Sequence, residues 1–429
     1  MQLSSEHSSI VALCIANLFL IQKVQKSINF AMFEEPQSSD EESPVQDGDC
    51  CDLKELRRVF VSELKASSEI AASLKRTCGL HLSLSNDARK LSVGLSQKTV
   101  QLYQIGTDGS LVLDQADFAT YKSSIRGVKF FHSDPNSLMI CTEKGEVIFY
   151  DLRSNKTIYT FEDSSEGIQK TLTAFDINQN DRVLCASTDV QKNGDSFLLF
   201  FDIRERKYLG SYWECHSEDI TNVRFHPTNP DLLASGSVDG LINVFDISHP
   251  NEDDAMKYCF NVEDSIERLN WHKNSNNKDS VSCITTTNNF HLYDVEDQEL
   301  EVEFDRIKIT EFIKRKSSID CNVVNIHNSG SSFILLAGSN YNRGECLRSL
   351  KYDNKSFQPH QNFLNNRQII RDSIYNEKEN FLITTGEGGL ITMWRCGDVE
   401  TDQHVAEYDS NVKRKTKLKL KTGHRANPY

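Results

Sequence analysis

Apolar and polar positions alternate in short runs through the middle of the chain, from about residue 78 to residue 398. The clearest copy is His216 to Ile247, HSEDITNVRFHPTNPDLLASGSVDGLINVFDI. Val223-Arg224-Phe225 alternates, His226-Pro227 and Asn229-Pro230 interrupt, Leu232 to Ser235 resumes, Asp239-Gly240 turns, and Leu241 to Phe245 alternates again. A period of two, broken by proline and by an Asp-Gly turn, predicts short strands joined as hairpins.

The pattern recurs. An apolar residue two before an aromatic marks a first strand at Val128/Phe130, Val223/Phe225 and Leu269/Trp271, with weaker copies at Thr173/Phe175 and Val324/Ile326. A third strand ends in an aromatic and an acid at Tyr150-Asp151, Phe201-Asp202, Phe245-Asp246 and Tyr293-Asp294, and in degenerate form at Tyr103, Leu350 and Trp394. Tyr103 and Trp394 are 291 residues apart over six intervals, a mean of 48.5. Seven units of this size fall in the class of WD repeats, whose spacing is about 40 to 45 residues. A four-stranded unit exposes apolar faces that only its neighbours can cover, so the array must continue until it closes. The expected fold is all-β: a seven-bladed WD-repeat β-propeller over residues 53–398.

Closure usually borrows a strand from the other end of the chain. Arg58-Val59-Phe60-Val61 is the preferred candidate for it. Leu53, Leu56, Phe60 and Leu64 also lie near helical spacing, so residues 53–64 read alternatively as a short helix. His216 to Ile247, continued by Asn251-Glu252-Asp253-Asp254-Ala255, resembles the WD repeat-containing protein 89 family. The resemblance spans most of residues 78–398, is sharp in blades two to four and fades in blades five to seven. It implies a seven-bladed propeller and says little about molecular role.

The ends differ in character from the middle. Residues 1–31 contain the apolar run Ile10 to Ile21, but Glu6 precedes it and Lys23 and Lys26 follow it, which is the wrong flanking charge for a secretion signal. The segment reads as an extension upstream of an ordinary start at Met32, with a helix or a membrane-interacting segment as the lesser reading. Residues 32–52 carry eight acids from Glu34 to Asp52 and no base, a composition that cannot offset its ordering entropy and predicts a disordered acidic arm. Residues 399–429 invert the charge: Lys413, Arg414, Lys415, Lys417, Lys419, Lys421 and Arg425 form a basic run. It is a candidate nuclear-import signal or RNA-contacting arm, against the plainer reading of a solvated tail.

The chain as a whole carries 48 Lys+Arg against 62 Asp+Glu, a formal charge of −14, so it is poorly suited to sequence-independent nucleic-acid binding outside that tail. No apolar run reaches the roughly 18 residues of a membrane span, so a soluble chain without a membrane partner is expected. The 12 cysteines include no C-x-x-C pair, as in reduced buried thiols rather than a disulfide or zinc framework. No cofactor or metal is expected. The expected location is nucleus, cytoplasm or both.

Blade four brings a His, a Ser and an Asp within one unit: His216, Ser235 and Asp239. Their spacing matches the buried hydrogen-bond chain of WD-repeat blades, which ends on a third-strand Trp. Here that position is Phe245, so the chain should stop at Ser235. A catalytic triad is the lesser reading, since no Gly-x-Ser-x-Gly elbow is present. Blade two has Lys144 and blade seven Gly388 where the turn acid belongs, and Asn365-Asn366 stands where the blade-seven His is expected. Blade three keeps Asp195 but reaches it through a long approach, Asp189 to Gly194, expected as an exposed loop.

Asp151-Leu152-Arg153 and Asp202-Ile203-Arg204 follow third-strand aromatics on successive blades. In WD-repeat substrate receptors of cullin-type ubiquitin ligases such turns meet the ligase adaptor, making Arg153 and Arg204 candidate contacts. The plainer reading is a common surface turn. Arg126, Thr221 and Glu267 enter the first strands of their blades and are candidate contacts at the rim of the central channel. The leading expectation is a non-enzymatic, monomeric scaffold for protein or peptide partners in a multi-protein complex, with a ligase substrate receptor or a nuclear RNA or ribosome-assembly factor as alternatives.

Overall fold

The computed structural model of the chain describes residues 47–163, 169–274 and 277–395. The apolar run at Ile10 to Ile21, the acids before Asp47 and the basic run beginning at Lys413 lie outside them. Among the described residues the strands form five four-stranded sheets and one of eight strands, and the eight are two blades joined edge to edge. Blades one to six occupy residues 79–120, 125–161, 172–212, 220–261, 266–304 and 321–363, each with its strands in chain order from the inside outwards. Blade seven has three strands of its own, residues 370–395, and takes its outer strand, Ser62–Ala71, from the start of the ring.

Side-chain alternation explains why the blades must stack in a circle. On the second strand of blade two, Ser137–Thr142, every residue is buried. Leu138 and Ile140 pack against blade one, while Met139 and Cys141 pack against blade three. A strand buried on both faces reads as a continuous apolar run, and each sheet supplies half of two separate cores. Among the described residues there are seven such cores, each straddling two neighbouring blades. The seventh joins Leu91, Val93 and Tyr103 of blade one to Phe381, Ile383, Ile391 and Met393 of blade seven. The recurring third-strand residues Tyr103, Tyr150, Phe201, Phe245, Tyr293, Leu350 and Trp394 all sit buried opposite an aliphatic partner on the second strand, as in Leu138↔Tyr150 and Leu233↔Phe245. In blade six the expected pair Val324 and Ile326 is split by a register shift between Val323 and Asn325. Val324 faces the blade-seven core and Ile326 the blade-five core.

The closing segment differs from the preferred expectation. Residues Leu53–Val59 form a helix, so Arg58 and Val59 are helical, and the strand starts only at Ser62. Asp52 caps the helix, its side chain accepting from the Glu55 N–H at 2.8 Å, and Arg57 and Arg58 complement the dipole at its end. Those local preferences outweigh the β propensity of Val-Phe-Val. The strand then pairs twice: Ser62 to Leu64 run parallel to Gln361 to Phe363 of blade six, and Lys65 to Ala71 run antiparallel to the third strand of blade seven.

The end of the acidic segment also departs from expectation, because Asp47 to Asp52 are docked rather than disordered. Asp47 is buried, and its carboxylate accepts from Arg315 Nη2 at 2.7 Å, Ser339 Oγ at 2.6 Å and the Ser317 N–H at 3.2 Å. Asp49 pairs with Arg348 at 2.8 Å and Arg315 at 3.3 Å, and the Arg348 guanidinium lies over the Phe60 ring. Burial opposes ionisation of Asp47, but the Ser339 hydroxyl and the Arg315 guanidinium outweigh it and hold the carboxyl below its usual range. A low-hydrophobicity segment is ordered here by two buried guanidinium groups that would otherwise lack counter-charges. Asp47→Ala is therefore expected to cost about 3 kcal/mol or more, as breaking a buried pair does. An unshifted urea midpoint would count against this docking.

Candidate functional site

In blade four the loop before the inner strand carries His216 over the turn that holds Asp239. His216 Nδ1 lies 3.1 Å from Asp239 Oδ2, and Nε2 lies 2.7 Å from Ser235 Oγ. A carboxylate can only accept, so Nδ1 carries the proton and the Ser235 hydroxyl donates to Nε2. Asp239 also accepts from the Ser217 and Leu241 N–H groups at 3.0 and 2.9 Å, clamping the turn. Burial raises the proton affinity of Asp239, yet the His216 bond and these N–H donors outweigh it and hold the carboxyl below its usual range. The chain ends at Ser235, because the fully buried Phe245 has no N–H to offer it. Ser235 has no exposed surface and His216 is 5% exposed, so no substrate reaches a triad here. The arrangement ties the strands of the blade together.

The inner strands line a central channel. Its upper part is a cavity of about 700 Å³ reached by His81, Arg126, Lys129, Asn222, Arg224, Glu267, Arg268 and Asp372 among others. A second cavity of about 320 Å³ continues from it past Lys129, Asp176, Arg224, Asn270 and His327. The three rim candidates, Arg126, Thr221 and Glu267, all line the upper cavity, but with different freedom. Arg126 Nη2 pairs with Glu143 at 2.6 Å. The Thr221 hydroxyl is held between the carbonyls of Ile266 at 2.5 Å and Gly236 at 3.1 Å, so it joins blade four to blade five and is committed to the ring. The Glu267 side chain is exposed at the mouth.

Comparison with known proteins agrees with this architecture. The family model "WD domain, G-beta repeat" matches residues 206–246, the outer strand of blade three and the first three strands of blade four. The chain is a WD-repeat β-propeller. It is similar to WD repeat-containing protein 89 homolog of Dictyostelium discoideum, 23% identical over 322 residues that cover 72% of this chain and 81% of that protein. It is also similar to the GATOR2 complex protein WDR24 of Homo sapiens, 21% identical over 55% of this chain and 28% of that protein. Among solved structures, a chain of a mitotic checkpoint complex superposes with a TM-score of 0.59 at 16% identity, covering 85% of this chain and 98% of that one.

Blade seven of the propeller builds its own version of the blade-four ties from residues that the spacing did not mark. Gln368, not Asn365 or Asn366, takes the histidine's role: its Oε1 accepts from the Gly388 and Leu390 N–H groups at 3.1 Å each, and its Nε2 donates to the Leu390 carbonyl at 2.8 Å. A side-chain amide thus binds the turn backbone directly where no turn acid exists. In the same blade Trp394 Nε1 donates to Thr384 Oγ1 at 2.8 Å. The signal for Gln368 in the sequence is weak, because glutamine is an ordinary surface residue and only its burial makes it a tie. The blade-three approach loop is anchored as well as exposed, since the Val190 N–H donates to Asp219 of blade four at 2.8 Å.

The two Asp-x-Arg turns sit at the ends of the third strands of blades two and three, and their arginines differ. Arg153 is 66% exposed but bonded to Asp134 at 3.3 Å and Asp151 at 3.4 Å. Arg204 is exposed, with no hydrogen bond or ion pair among the described residues. Ser235→Ala should lower stability by about 1 to 3 kcal/mol in thermal or urea melts, because His216 Nε2 then keeps only the long 3.4 Å contact with Asn243 Nδ2. Because the folded-state pKa of Asp239 is depressed, its contribution is present above about pH 4 and is lost as pH falls through the folded value. The melting temperature of Asp239→Asn should accordingly converge on that of the parent chain at low pH; a constant gap from pH 7 to pH 3 would contradict the assignment.

Proposed function

We propose that this propeller is a non-enzymatic scaffold that holds protein partners in a multi-protein complex, docking them at the mouth and wall of its central channel. The observation that carries this reading is the division of labour among polar groups. The buried His216, Ser235, Asp239 and Gln368 are committed to tying strands within their blades, and a different set of polar side chains, Arg126, Asn222, Arg224 and Glu267 among them, lines a cavity to which every blade contributes. A concave, rigid, mixed-charge surface suits peptide docking, and nothing in the buried network is accessible for turnover. Relatives named as parts of complexes support the same reading at the level of the fold.

The paired Asp-x-Arg turns support a second reading, a ubiquitin-ligase substrate receptor, chiefly through the unpartnered Arg204. On this reading the adaptor co-purifies with the parent chain and is lost from the Arg153→Ala/Arg204→Ala double variant while other partners remain. The basic run from Lys413 to Lys421 supports nuclear import or an RNA contact as part of the same proposal. Deleting residues 411–429 should then reduce nuclear accumulation and salt-sensitive RNA recovery; a chain that keeps both has only a solvating tail.

Affinity capture of the full chain with quantitative mass spectrometry tests the scaffold itself. The expected result is one or more proteins in near-stoichiometric amount that survive moderate salt. Absence of any such partner, or steady turnover of a small molecule by the purified chain, would defeat it.

A further inference from the structure

In a protein whose net charge is −14, the two cavities of the channel are lined by four cations, Arg126, Lys129, Arg224 and Arg268, against the carboxylates of Asp176, Glu267 and Asp372, and one of the cations has no ion-pair partner among the described residues. Three of the four cations lining the upper cavity are matched. Arg126 pairs with Glu143, Lys129 with Asp176, and Arg268 with Asp372 and with the Arg371 carbonyl at 2.6 Å. Arg224 is half-buried at the junction of the two cavities, lines both, and makes no side-chain hydrogen bond or ion pair among the described residues. Glu267, at the mouth of the same cavity, does not reach it as an ion pair. Burial holds the facing histidines neutral, that of His81 below its usual range and that of His327 pushed down to about 3, so neither competes as a cation. A guanidinium in partly desolvated surroundings without a counter-charge is costly to the free protein and gains strongly from a carboxylate that supplies one.

A second unmet group lies beside it. Asn222 is two residues from Arg224 on the same inner strand, so both side chains leave the same face, and both line the upper cavity. The Asn222 Nδ2 donates to the Glu267 carbonyl only at a long 3.5 Å, so the amide is weakly held. Its Oδ1 is buried and has no donor. The wall therefore holds, side by side, a positive donor that lacks an acceptor and a neutral acceptor that lacks a donor and that a turn of the weakly held amide brings to the cavity.

We propose that the channel of this propeller receives an acidic residue of a partner polypeptide, the carboxylate seated on the Arg224 guanidinium and a peptide N–H donating to Asn222 Oδ1. The proposal rests on the docking reading above and narrows it to one kind of residue. A peptide meets both unmet groups, whereas a fully ionised phosphate supplies acceptors alone and leaves Asn222 unpaired. The combined volume of the two cavities admits an extended segment and not a folded domain. The guanidinium selects for the planar carboxylate through paired hydrogen bonds, and a side-chain amide in its place forfeits the charge.

Panning a random dodecapeptide display library on the full chain tests this, with the selected peptides then synthesised as fluorescent probes. The expected outcome is enrichment of Asp or Glu at one fixed position, with binding weakened about tenfold or more when that residue is replaced by its amide counterpart or when the protein carries Arg224→Met. Arg224→Lys should recover part of the affinity. Asn222→Ala should weaken binding of the peptide but not of its analogue N-methylated at the contacting amide. Matching thermal melts of the parent and the variants establish that the ring is intact. Selection without an acidic position, equal affinity in Arg224→Met, or displacement by millimolar inorganic phosphate with no peptide enriched would each overturn the proposal. Protein partners that still co-purify with Arg224→Met would preserve the scaffold reading while removing this one.

Discussion

Every blade of this protein is apolar on both faces, and that is the constraint from which the rest of the structure follows. A sheet such as blade two, with Leu138 and Ile140 on one side and Met139 and Cys141 on the other, has no face it can leave in water. A linear stack of seven would strand two such faces, the Leu91 face of blade one and the Phe381 face of blade seven. The ring removes both by packing them together. Closure is then the step on which all seven cores depend, and it is made by Ser62–Ala71, which completes blade seven and also grips the edge of blade six. The helix Leu53–Val59 and the Asp47–Arg315 and Asp49–Arg348 pairs hold the chain leading into that strand, so electrostatics at the start of the ring support hydrophobic closure at its seam.

Polar groups inside such a ring are affordable only when matched, and the blades match them by different means. Blade four uses a His, a Ser and an Asp; blade seven reaches a comparable result with Gln368 on the turn backbone and Trp394 on Thr384. Between blades, side chains cap the inner strands: the Leu82 N–H donates to Asp372, the Phe225 N–H to Asp176 and the Phe130 N–H to Ser83. Once these commitments are subtracted, few polar groups remain unspent. Arg224 and Asn222 share one strand and one cavity among them, which is why function is better sought in the channel than in the blade-four triad of residue types.

Much of the architecture was legible from the chain alone. The number of blades and the third-strand register are consequences of spacing, because a period of two and a repeat of about fifty residues are one-dimensional quantities, whereas the pairing of His216 with Ser235 and Asp239 was expected only from their likeness to WD-repeat blades. The residues that resisted reading are those whose meaning depends on a partner remote in sequence. Asp47 looks like part of a solvated acidic run until Arg315 and Ser339 are brought to it. Thr221 looks like a rim contact until the Ile266 carbonyl claims its hydroxyl. The pattern around Phe60 favoured a strand over a helix, and the Asp52 cap with the docking of Arg348 turned residues Leu53–Val59 into the helix instead.

Alternation of apolar and polar positions, the turn residues and their recurrence determined by themselves that this chain folds as a closed circle of seven sheets, since each local preference and each buried face point to the same arrangement. Which polar side chains are consumed in building that circle, and which are left facing the channel with their hydrogen-bonding capacity unmet, was decided only in three dimensions. The reason is that satisfaction of a buried charge or amide is a property of a pair of groups, and residues such as Arg268 and Asp372 or Asp47 and Arg315 meet only after the ring has closed.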